Sequence, residues 1–404
     1  MLIAVAVAVA LGVAGPPPPP LTLAQAVTQA RTASPLRAAA EQLSEGSIEA
    51  ARLAGRLPNP LIDVRTENVR PAGSSALPLD VYALVSQPFE LAGKRGLRLG
   101  VASAERDIQT SNLRTVEWQI TARTAQLYVQ ALKARGLLAV LTDHRDGLAT
   151  LIETMRRRVE EGAAPEADLL KFETESARME IDISKAQIDL GRSLTALTFI
   201  IGATTPIAPE QLVEPDQVAP PSLDDAAIAA AVSTHPDVRS ANAQVARAQQ
   251  VTALEQARRV PDPVVTAGYK RTNGFDTAVA GVALSVPLFD RNGSAAARAL
   301  GEERAVKAER DALVQRLTLD ATTLITVAHT LAERASRVAG DLLEPADVVR
   351  NAAQATFREG TSDILRVIDA ERVYSEVKRT AVELRLDALA ASVDARLAVG
   401  QEIE

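Results

Sequence analysis

The chain has 404 residues, a net charge of −7 and no cysteine. Apolar residues make up 47% of it and aromatic residues only 3%, which favours long helices packed closely side by side over a thick globular core. The negative charge argues against nucleic acid as a partner. Without cysteine there is no disulfide framework, thiolate metal site or thiol nucleophile.

The chain opens with the apolar run MLIAVAVAVALGVAG. About 14 apolar residues are too few for a transmembrane helix, which needs ~20, and they match the apolar core and small-residue exit of a secretory signal. No Lys or Arg precedes the run, so a buried N-terminal segment is the alternative. Pro16 to Pro20 form a stiff spacer. We expect residues 1–20 to be a signal peptide and a proline-rich spacer.

The second half of the chain repeats the first, because paired motifs recur in the same order at an offset of about 200 residues. This repetition predicts a first structural repeat at 21–201, a linker with five prolines at 202–222, and a second repeat at 223–404. The matches include Ser34-Pro35 with His235-Pro236, Pro58-Asn59-Pro60 with Pro261-Asp262-Pro263, Gln87-Pro88 with Val286-Pro287, and Glu161-Gly162 with Glu359-Gly360.

Each half begins with a predicted amphipathic helix, about 21–56 and 223–259, which ends at the Pro-x-Pro motif because proline breaks helices. Two strands follow. Ile62 to Glu67 alternate apolar and polar residues, the period of a strand with one dry face. Its partner lies at about 79–87, and the second half offers 264–271 with 277–286. The loops Pro71 to Pro78 and Thr272 to Asp276 are rich in Gly, Pro, Ser and Asn, so hairpins are predicted at about 61–88 and 264–287.

Long helices are predicted after each hairpin. No proline occurs between Pro88 and Pro165, or between Pro287 and Pro345, and the ~70 residues after the first hairpin could form a helix on the order of 100 Å long. Apolar positions from Leu169 to Leu197 step by three and four, as do those from Tyr374 to Ala395. A 3.5-residue period predicts left-handed coiled-coil packing.

Four strands of about ten residues could cross a bilayer when tilted but could not close a barrel alone. Since small closed barrels start at about eight strands, several copies would have to pool their strands, and three copies would supply twelve. Polar residues such as Asp63, Arg65 and Glu67 would then face the lumen. Aromatic residues beside the strands would form interfacial girdles, with a small sandwich core as the alternative.

The ordered set of motifs resembles the TolC-like outer-membrane efflux protein family, across nearly the whole chain from Leu21 to about Gly400. The segment from Gln87 to Arg95, QPFELAGKR, is most similar to the cobalt–zinc–cadmium, or heavy-metal resistance, branch. The segment from Phe357 to Arg372, FREGTSDILRVIDAER, also carries the resemblance.

The resemblance implies a mainly α fold with a small β part. Long coiled-coil helical hairpins would form an α-barrel in the periplasm, and four strands per chain would contribute to a trimeric 12-stranded transmembrane β-barrel. The expected surroundings are outer-membrane lipid, a periplasmic adaptor protein and an inner-membrane efflux pump of the resistance-nodulation-division type. The expected function is the passive exit duct of a tripartite efflux system.

The resemblance also implies two sets of functional residues. Asp369 matches a position that carries an aperture-lining acid, and Arg366 stands where some members carry a second acid; with Asp363 they form the expected pore aperture. Arg366 and Asp369 could instead pair as a gate latch, or be ordinary solvated charges. Adaptor docking is expected at the hairpin tips, at Glu161, Gly162, Pro165, Arg358 and Gly360.

Enzyme chemistry finds no support in the residues. His144, His235 and His329 are far apart and form no catalytic or metal-binding motif. We therefore predict no catalytic, cofactor-binding or metal-ligating residue and no cofactor. Heavy-metal cations are the expected cargo, with small organic toxicants or drugs as the alternative. A periplasmic coiled-coil scaffold is the competing structural interpretation, but it would not need four alternating strands.

Overall fold

A computed structural model describes residues 19–69, 79–215, 218–359, 361 and 364–402. Residues 1–18 of the predicted signal and spacer, the predicted loop at 71–78, Gly360 and Asp363 lie outside the described residues. The helices are α1 (Leu23–Ala33), α2 (Pro35–Ala54), α3 (Lys94–Glu160), α4 (Glu166–Ile200), α5 (Asp225–Ser233), α6 (Pro236–Ala257), α7 (Gly293–Val338), α8 (Glu344–Arg358) and α9 (Ile364–Ala398). The strands are β1 (Leu61–Glu67), β2 (Asp80–Pro88), β3 (Pro263–Thr272) and β4 (Phe275–Leu284).

The helix predicted at the start of each half is in fact two helices. Ser34 ends α1 with extended backbone (φ −70°, ψ 121°), and His235 is extended before α6 (φ −57°, ψ 140°). In both places the next residue is proline, which lacks an N–H and pushes the preceding residue out of the helical region. The motifs Ser34-Pro35 and His235-Pro236 therefore mark breaks rather than helix interiors.

The long proline-free stretches are helical, as predicted. α3 has 67 residues and α7 has 46. Between α7 and α8 the residues Ala339–Leu343 form a π-helical turn just before Pro345. Because proline has no N–H, the regular bonding pattern is interrupted there, and such turns often mark functional sites.

The four strands form one antiparallel sheet in the order β1-β2-β3-β4, the small β part that the sequence predicts. In register, Ile62 lies opposite Val85, Val85 opposite Ala267, and Ala267 opposite Ala280. The turn between β3 and β4 is Asn273-Gly274, with positive φ at both residues (52° and 80°). That geometry suits a two-residue hairpin and is shorter than the predicted loop at 272–276.

Gly268 in β3 has no room for a side chain. A Cβ atom there would lie 2.2 Å from the carbonyl oxygen of Ala83 and 2.8 Å from the Cα of Leu84, both on β2. Real Cβ contacts are never this short, so β2 and β3 approach each other in a way that only glycine permits.

The chain divides into two compact units, between which α3 and α7 are shared. The helical unit takes the described residues of Met1–Ser34, Gln119–Leu223 and Ala321–Glu404. The strand-bearing unit takes the described residues of Pro35–Trp118 and Asp224–Asp320. In the part of the chain that the structure describes, no helix carries a stretch apolar and long enough to span a bilayer.

A fully buried tyrosine fastens the start of the helical unit to its linker. The hydroxyl oxygen of Tyr128 on α3 lies 2.6 Å from the carbonyl oxygens of both Leu21 and Val213. It also accepts a hydrogen bond from the Val213 N–H at 3.0 Å. Leu21 in turn forms a parallel bridge with Leu212. The proline-rich linker is thus held against α3 instead of hanging free.

Candidate functional site

Two of the predicted aperture residues lie on a groove between α4 and α9 in the helical unit. The groove has a volume of about 770 Å³, and both Arg366 and Asp369 line it. Both side chains are exposed. The other lining residues are Ala167, Leu170, Lys171, Thr174, Glu175, Leu365, Ile368 and Arg372.

Among the described residues, Arg366 and Asp369 form no ion pair with each other or with a third side chain. The ion pair at the groove is formed instead by Arg372 of α9, whose Nη2 lies 3.0 Å from Oε2 of Glu175 on α4. The Glu175 side chain is only 13% exposed, so this pair sits at the wall of the groove. It ties α9 to α4 one helical turn beyond Asp369.

The other side of α9 is anchored in a hydrophobic core. Ile364 and Val367 are buried together with Leu148, Leu151 and Met155 of α3. Steps of three and four place these residues on one face of a helix, away from the groove. The segment that carries Arg366 and Asp369 is therefore held from behind by packing while its polar side stays open.

The first predicted tip is a helix-ending turn between α3 and α4. The N–H of Ala163 donates to the Arg158 carbonyl at 2.7 Å, and the N–H of Gly162 donates to the Val159 carbonyl at 3.0 Å. With φ at 73° for Gly162, this is a Schellman motif. Pro165 then precedes α4 as its N-cap residue. Glu161, Gly162 and Pro165 are all exposed.

The second predicted tip packs on the same core as the first. Phe357 at the end of α8 is 2% exposed and meets Phe172 of α4 edge to face, with ring centroids 6.3 Å apart. The guanidinium of Arg158, from the first tip, lies 5.0 Å from the centre of the Phe357 ring. Arg358 is exposed, and its Nη2 lies 3.5 Å from Oε1 of Gln354. The structure thus brings the two tips together, which spacing alone did not predict.

Sequence reasoning missed a buried polar cluster behind α9. His144 of α3 is 7% exposed and Glu371 of α9 is 3% exposed. Gln354 of α8 donates a hydrogen bond from its Nε2 to Oε1 of Glu371. Burial lowers the pKa of His144, although Glu371 and other nearby carboxylates oppose that shift. No local pattern marks these residues, because each stands among ordinary solvated helix charges in the sequence.

In the part of the chain that the structure describes, no cluster of three or more His, Cys, Asp or Glu side chains has the geometry of a metal site.

The sequence and the fold both match known proteins. The sequence model of the outer membrane efflux protein family matches twice, at residues 29–203 and 227–401. The chain belongs to this family. It is therefore an outer-membrane efflux channel, a member of a family of transport ducts rather than of enzymes.

Named relatives of this efflux protein are metal-resistance proteins. It is 29% identical over 369 residues to the cobalt-zinc-cadmium resistance protein CzcC of Cupriavidus metallidurans, covering 89% of this chain and 85% of CzcC. It is 27% identical over 263 residues to the nickel and cobalt resistance protein CnrC of the same organism, covering 63% of this chain and 61% of CnrC.

The fold is that of solved outer-membrane channels. The outer membrane protein VceC of Vibrio cholerae superposes with a TM-score of 0.78 at 17% identity, covering 95% of this chain and 97% of VceC. This likeness confirms the mainly helical fold with a small four-stranded sheet and the TolC-like architecture predicted from the motifs.

Proposed function

We propose that three copies of the chain assemble into a duct whose strands close a 12-stranded barrel in the outer membrane. The support is the sheet itself. Its order leaves β1 and β4 as open edges, and unpaired backbone groups are not tolerated in lipid. Head-to-tail pairing of β4 of one copy with β1 of the next removes every edge after three copies.

The two faces of the sheet differ in the way that a barrel wall requires. One face carries exposed apolar side chains on every strand, at Ile62, Val64, Val85, Val265 and Val282. A monomer in water would leave this surface bare, whereas lipid would cover it. The opposite face carries charged and polar groups, including Asp63, Arg65 and Lys270. Those residues would line a water-filled lumen.

The helical unit would extend into the periplasm and dock a periplasmic adaptor with its tips. The exposed residues Glu161, Gly162, Pro165 and Arg358 would form the docking surface, together with Gly360. The observation that supports this assignment is the shared hydrophobic core, on which both turns pack. An inner-membrane pump of the resistance-nodulation-division type would supply the energy, and the duct would only open and conduct.

Asp369 would line the aperture at the narrow end of the duct, with Arg366 and Asp363 on the same segment. Three copies of an exposed carboxylate around one axis would make a ring of negative charge, which favours cations. Arg366 is free of an ion pair within the described protomer, so it is available to pair with Asp369 of a neighbouring copy when the duct closes. The observation that carries the assignment is that both side chains face one open groove.

The cargo would be heavy-metal cations. CzcC and CnrC are named for resistance to cobalt, zinc, cadmium and nickel, and the match to CzcC covers most of both chains. An acid-lined wet aperture suits hydrated cations, since no step of passage requires a soft ligand.

Planar-bilayer recording tests the aperture and the duct together. The protein purified in mild detergent should have three times the chain mass and should conduct cations preferentially. Asp369→Asn should lower the cation-to-anion permeability ratio by at least about twofold, because the ring loses its charge. Asp189→Asn removes an exposed helix carboxylate of α4 that is paired with Arg192, and it should leave the ratio nearly unchanged. A monomer without conductance would overturn the proposal.

A further inference from the structure

The buried polar cluster behind α9 surrounds a cavity of about 260 Å³ in the helical unit. Three helices bound it, since its lining comes from α3, α8 and α9. The lining residues are Val140, Asp143, His144, Asp146, Gly147, Thr150, Arg350, Gln354, Glu371, Tyr374, Ser375 and Lys378. A polar cavity between helices is unusual in a core that is otherwise apolar and close-packed.

His144 is an incompletely satisfied member of this cluster. Its Nδ1 is buried and has no hydrogen-bond partner, although the side chain is only 7% exposed. A buried polar atom without a partner costs roughly 1–3 kcal/mol, so it calls for an explanation. Lys378 is satisfied by Asp143 at 2.5 Å, and Glu371 is satisfied by Gln354. Nε of Arg350, on the α8 side of the cavity, is also buried without a partner, so His144 is the unpaired group of the lining that can change charge by gaining a proton.

The cluster lies directly behind the aperture segment of α9. Glu371 follows Asp369 by two residues, and a helix turns about 100° per residue, so the two side chains point to nearly opposite sides. Asp369 faces the groove and Glu371 faces the cavity. The hydrogen bond between Glu371 and Gln354 therefore adds to the apolar packing that holds the side of α9 opposite Asp369. The π-helical turn Ala339–Leu343, which packs on α8 and α9, places an irregular element beside them.

We propose that His144 is a proton-operated latch: neutral, it lets α3 pack against α8 and α9, and protonated, it loosens that packing and frees the segment that carries Asp369. The gating meaning of the loosened segment rests on the proposed function above, whereas the latch itself rests only on the cluster.

The charges around His144 set the direction of the effect. Burial lowers its pKa below the ordinary value of 6.5; carboxylates on α9, α4 and α3 raise it, and a guanidinium on α9 lowers it. These charges are Glu371, Glu175, Asp143 and Arg372, and the same cavity is lined by Asp146, Arg350 and Lys378. The packed state therefore binds a proton less readily than a loosened state in which the imidazole meets water. Lowering the pH below 6.5 therefore shifts the equilibrium from the packed state toward the loosened state.

Hydrogen exchange on the assembled full-length protein in detergent tests the latch. The measured quantity is the protection factor, corrected for intrinsic exchange rates, of the backbone amides of residues 364–378. In the unmodified protein it should fall by about tenfold between about pH 7.5 and about pH 5.5. His144→Gln should remove most of this pH dependence, whereas His329→Gln, a histidine of α7 outside the cluster, should keep it.

A second variant tests the mechanism even if His144→Gln fails to assemble. Glu371→Gln removes the carboxylate that most favours protonated His144, so the midpoint of the loosening should move to lower pH. An unchanged midpoint, a flat response in the unmodified protein, or an equal response in His144→Gln would each overturn the latch.

Channel recordings separate this proposal from the aperture. Asp369→Asn should change ion selectivity but leave the pH response of exchange intact. If selectivity does not change while the pH response depends on His144, the aperture assignment fails and the latch stands. If Asp369→Asn changes selectivity and exchange shows no His144-dependent step, the latch fails and the aperture stands.

Discussion

Both units of the molecule bury an ionisable side chain almost completely, but they satisfy it differently. In the strand-bearing unit Lys94 is 6% exposed, and its Nζ lies 2.7 Å from Oδ1 of Asp262 and 2.5 Å from the carbonyl oxygen of Val260. In the helical unit His144 is equally buried, and its Nδ1 meets no partner. One site is saturated with partners, and the other leaves a buried polar atom unpaired.

The fully paired site around Lys94 fixes the junction between the strands and α3. Asp262 also accepts a hydrogen bond from the backbone N–H of Leu91 at 2.8 Å. Arg98 adds an ion pair with Glu90 at 2.6 Å and donates to the carbonyls of Ala54 and Arg56. The QPFELAGKR segment of the first half and Pro261-Asp262-Pro263 of the second half are thus joined at the start of α3. A junction with every group paired resists movement, whereas the cluster around His144 can respond to pH.

Loss of the buried lysine should produce the largest effect. Lys94→Met leaves Asp262 and the Val260 carbonyl without their partner, and we expect the free energy of unfolding to fall by about 3 kcal/mol. Thermal unfolding of the detergent-solubilised protein measures it. Arg52→Met breaks an exposed pair with Glu49 and should cost less than about 1 kcal/mol. If the two variants lost equal free energies of unfolding, the buried pairing of Lys94 would contribute no more than an ordinary surface ion pair.

Acidification offers a second, smaller test, because the strand-bearing unit also buries a histidine. His235 is 5% exposed; its Nδ1 accepts a hydrogen bond from the Asp237 N–H at 3.3 Å, and its ring meets Trp118 edge to face at 5.8 Å. Burial lowers the pKa of His235, and Asp237 partly opposes this. Its contribution to stability is therefore present above 6.5 and is lost as the pH falls below that value.

His235→Asn isolates that contribution. Asparagine caps a helix and does not titrate, so the variant should lie within about 1 kcal/mol of the original protein at neutral pH. The measurement is the midpoint of thermal unfolding as a function of pH, and the variant should lose less stability below 6.5. Since His235 belongs to the strand-bearing unit and not to the cluster around His144, the variant should leave the hydrogen exchange of residues 364–378 unaffected. A change there would contradict the assignment of pH sensitivity to His144.

The smallest effect on stability should come from the ion pair beside the proposed aperture. Arg372→Gln removes the contact with Glu175, and because the Arg372 side chain is 53% exposed, the loss should stay below about 1 kcal/mol. The effect on channel opening should be easy to detect despite this small loss of stability, because α9 loses its ion pair with α4 next to Asp369. Single-channel recording should show more frequent open events than in the matched variant Arg192→Gln.

Much of the fold could be predicted because its signals are local. The alternation from Ile62 to Glu67 and the absence of proline from Leu91 to Glu161 identify strand and helix without reference to the rest of the chain. The breaks at Ser34-Pro35 and His235-Pro236 were missed, because the amphipathic pattern alone predicts a helix that continues through each proline, although proline favours the first turn of a new helix. The π-helical turn was missed as well, since proline marks an interruption but not its form.

The site was predicted only in part for a related reason. Asp369 and Arg366 could be named from a motif, and the structure places both on one groove. The cluster of His144, Gln354 and Glu371 could not be named, because its members lie on α3, α8 and α9 and resemble solvated charges in the sequence. Only burial distinguishes them from their neighbours.

The sequence by itself determined the periodicities, the breaks in hydrogen bonding and the two-fold repetition, because backbone geometry depends on neighbouring residues. Tertiary structure alone decided which charges are buried, which are paired and which are left open. That decision depends on packing between helices far apart in the chain, where the loss of water changes the energy of every polar group. Lys94 and His144 are buried to a similar extent, and only the fold determines that the first has every partner and the second lacks one.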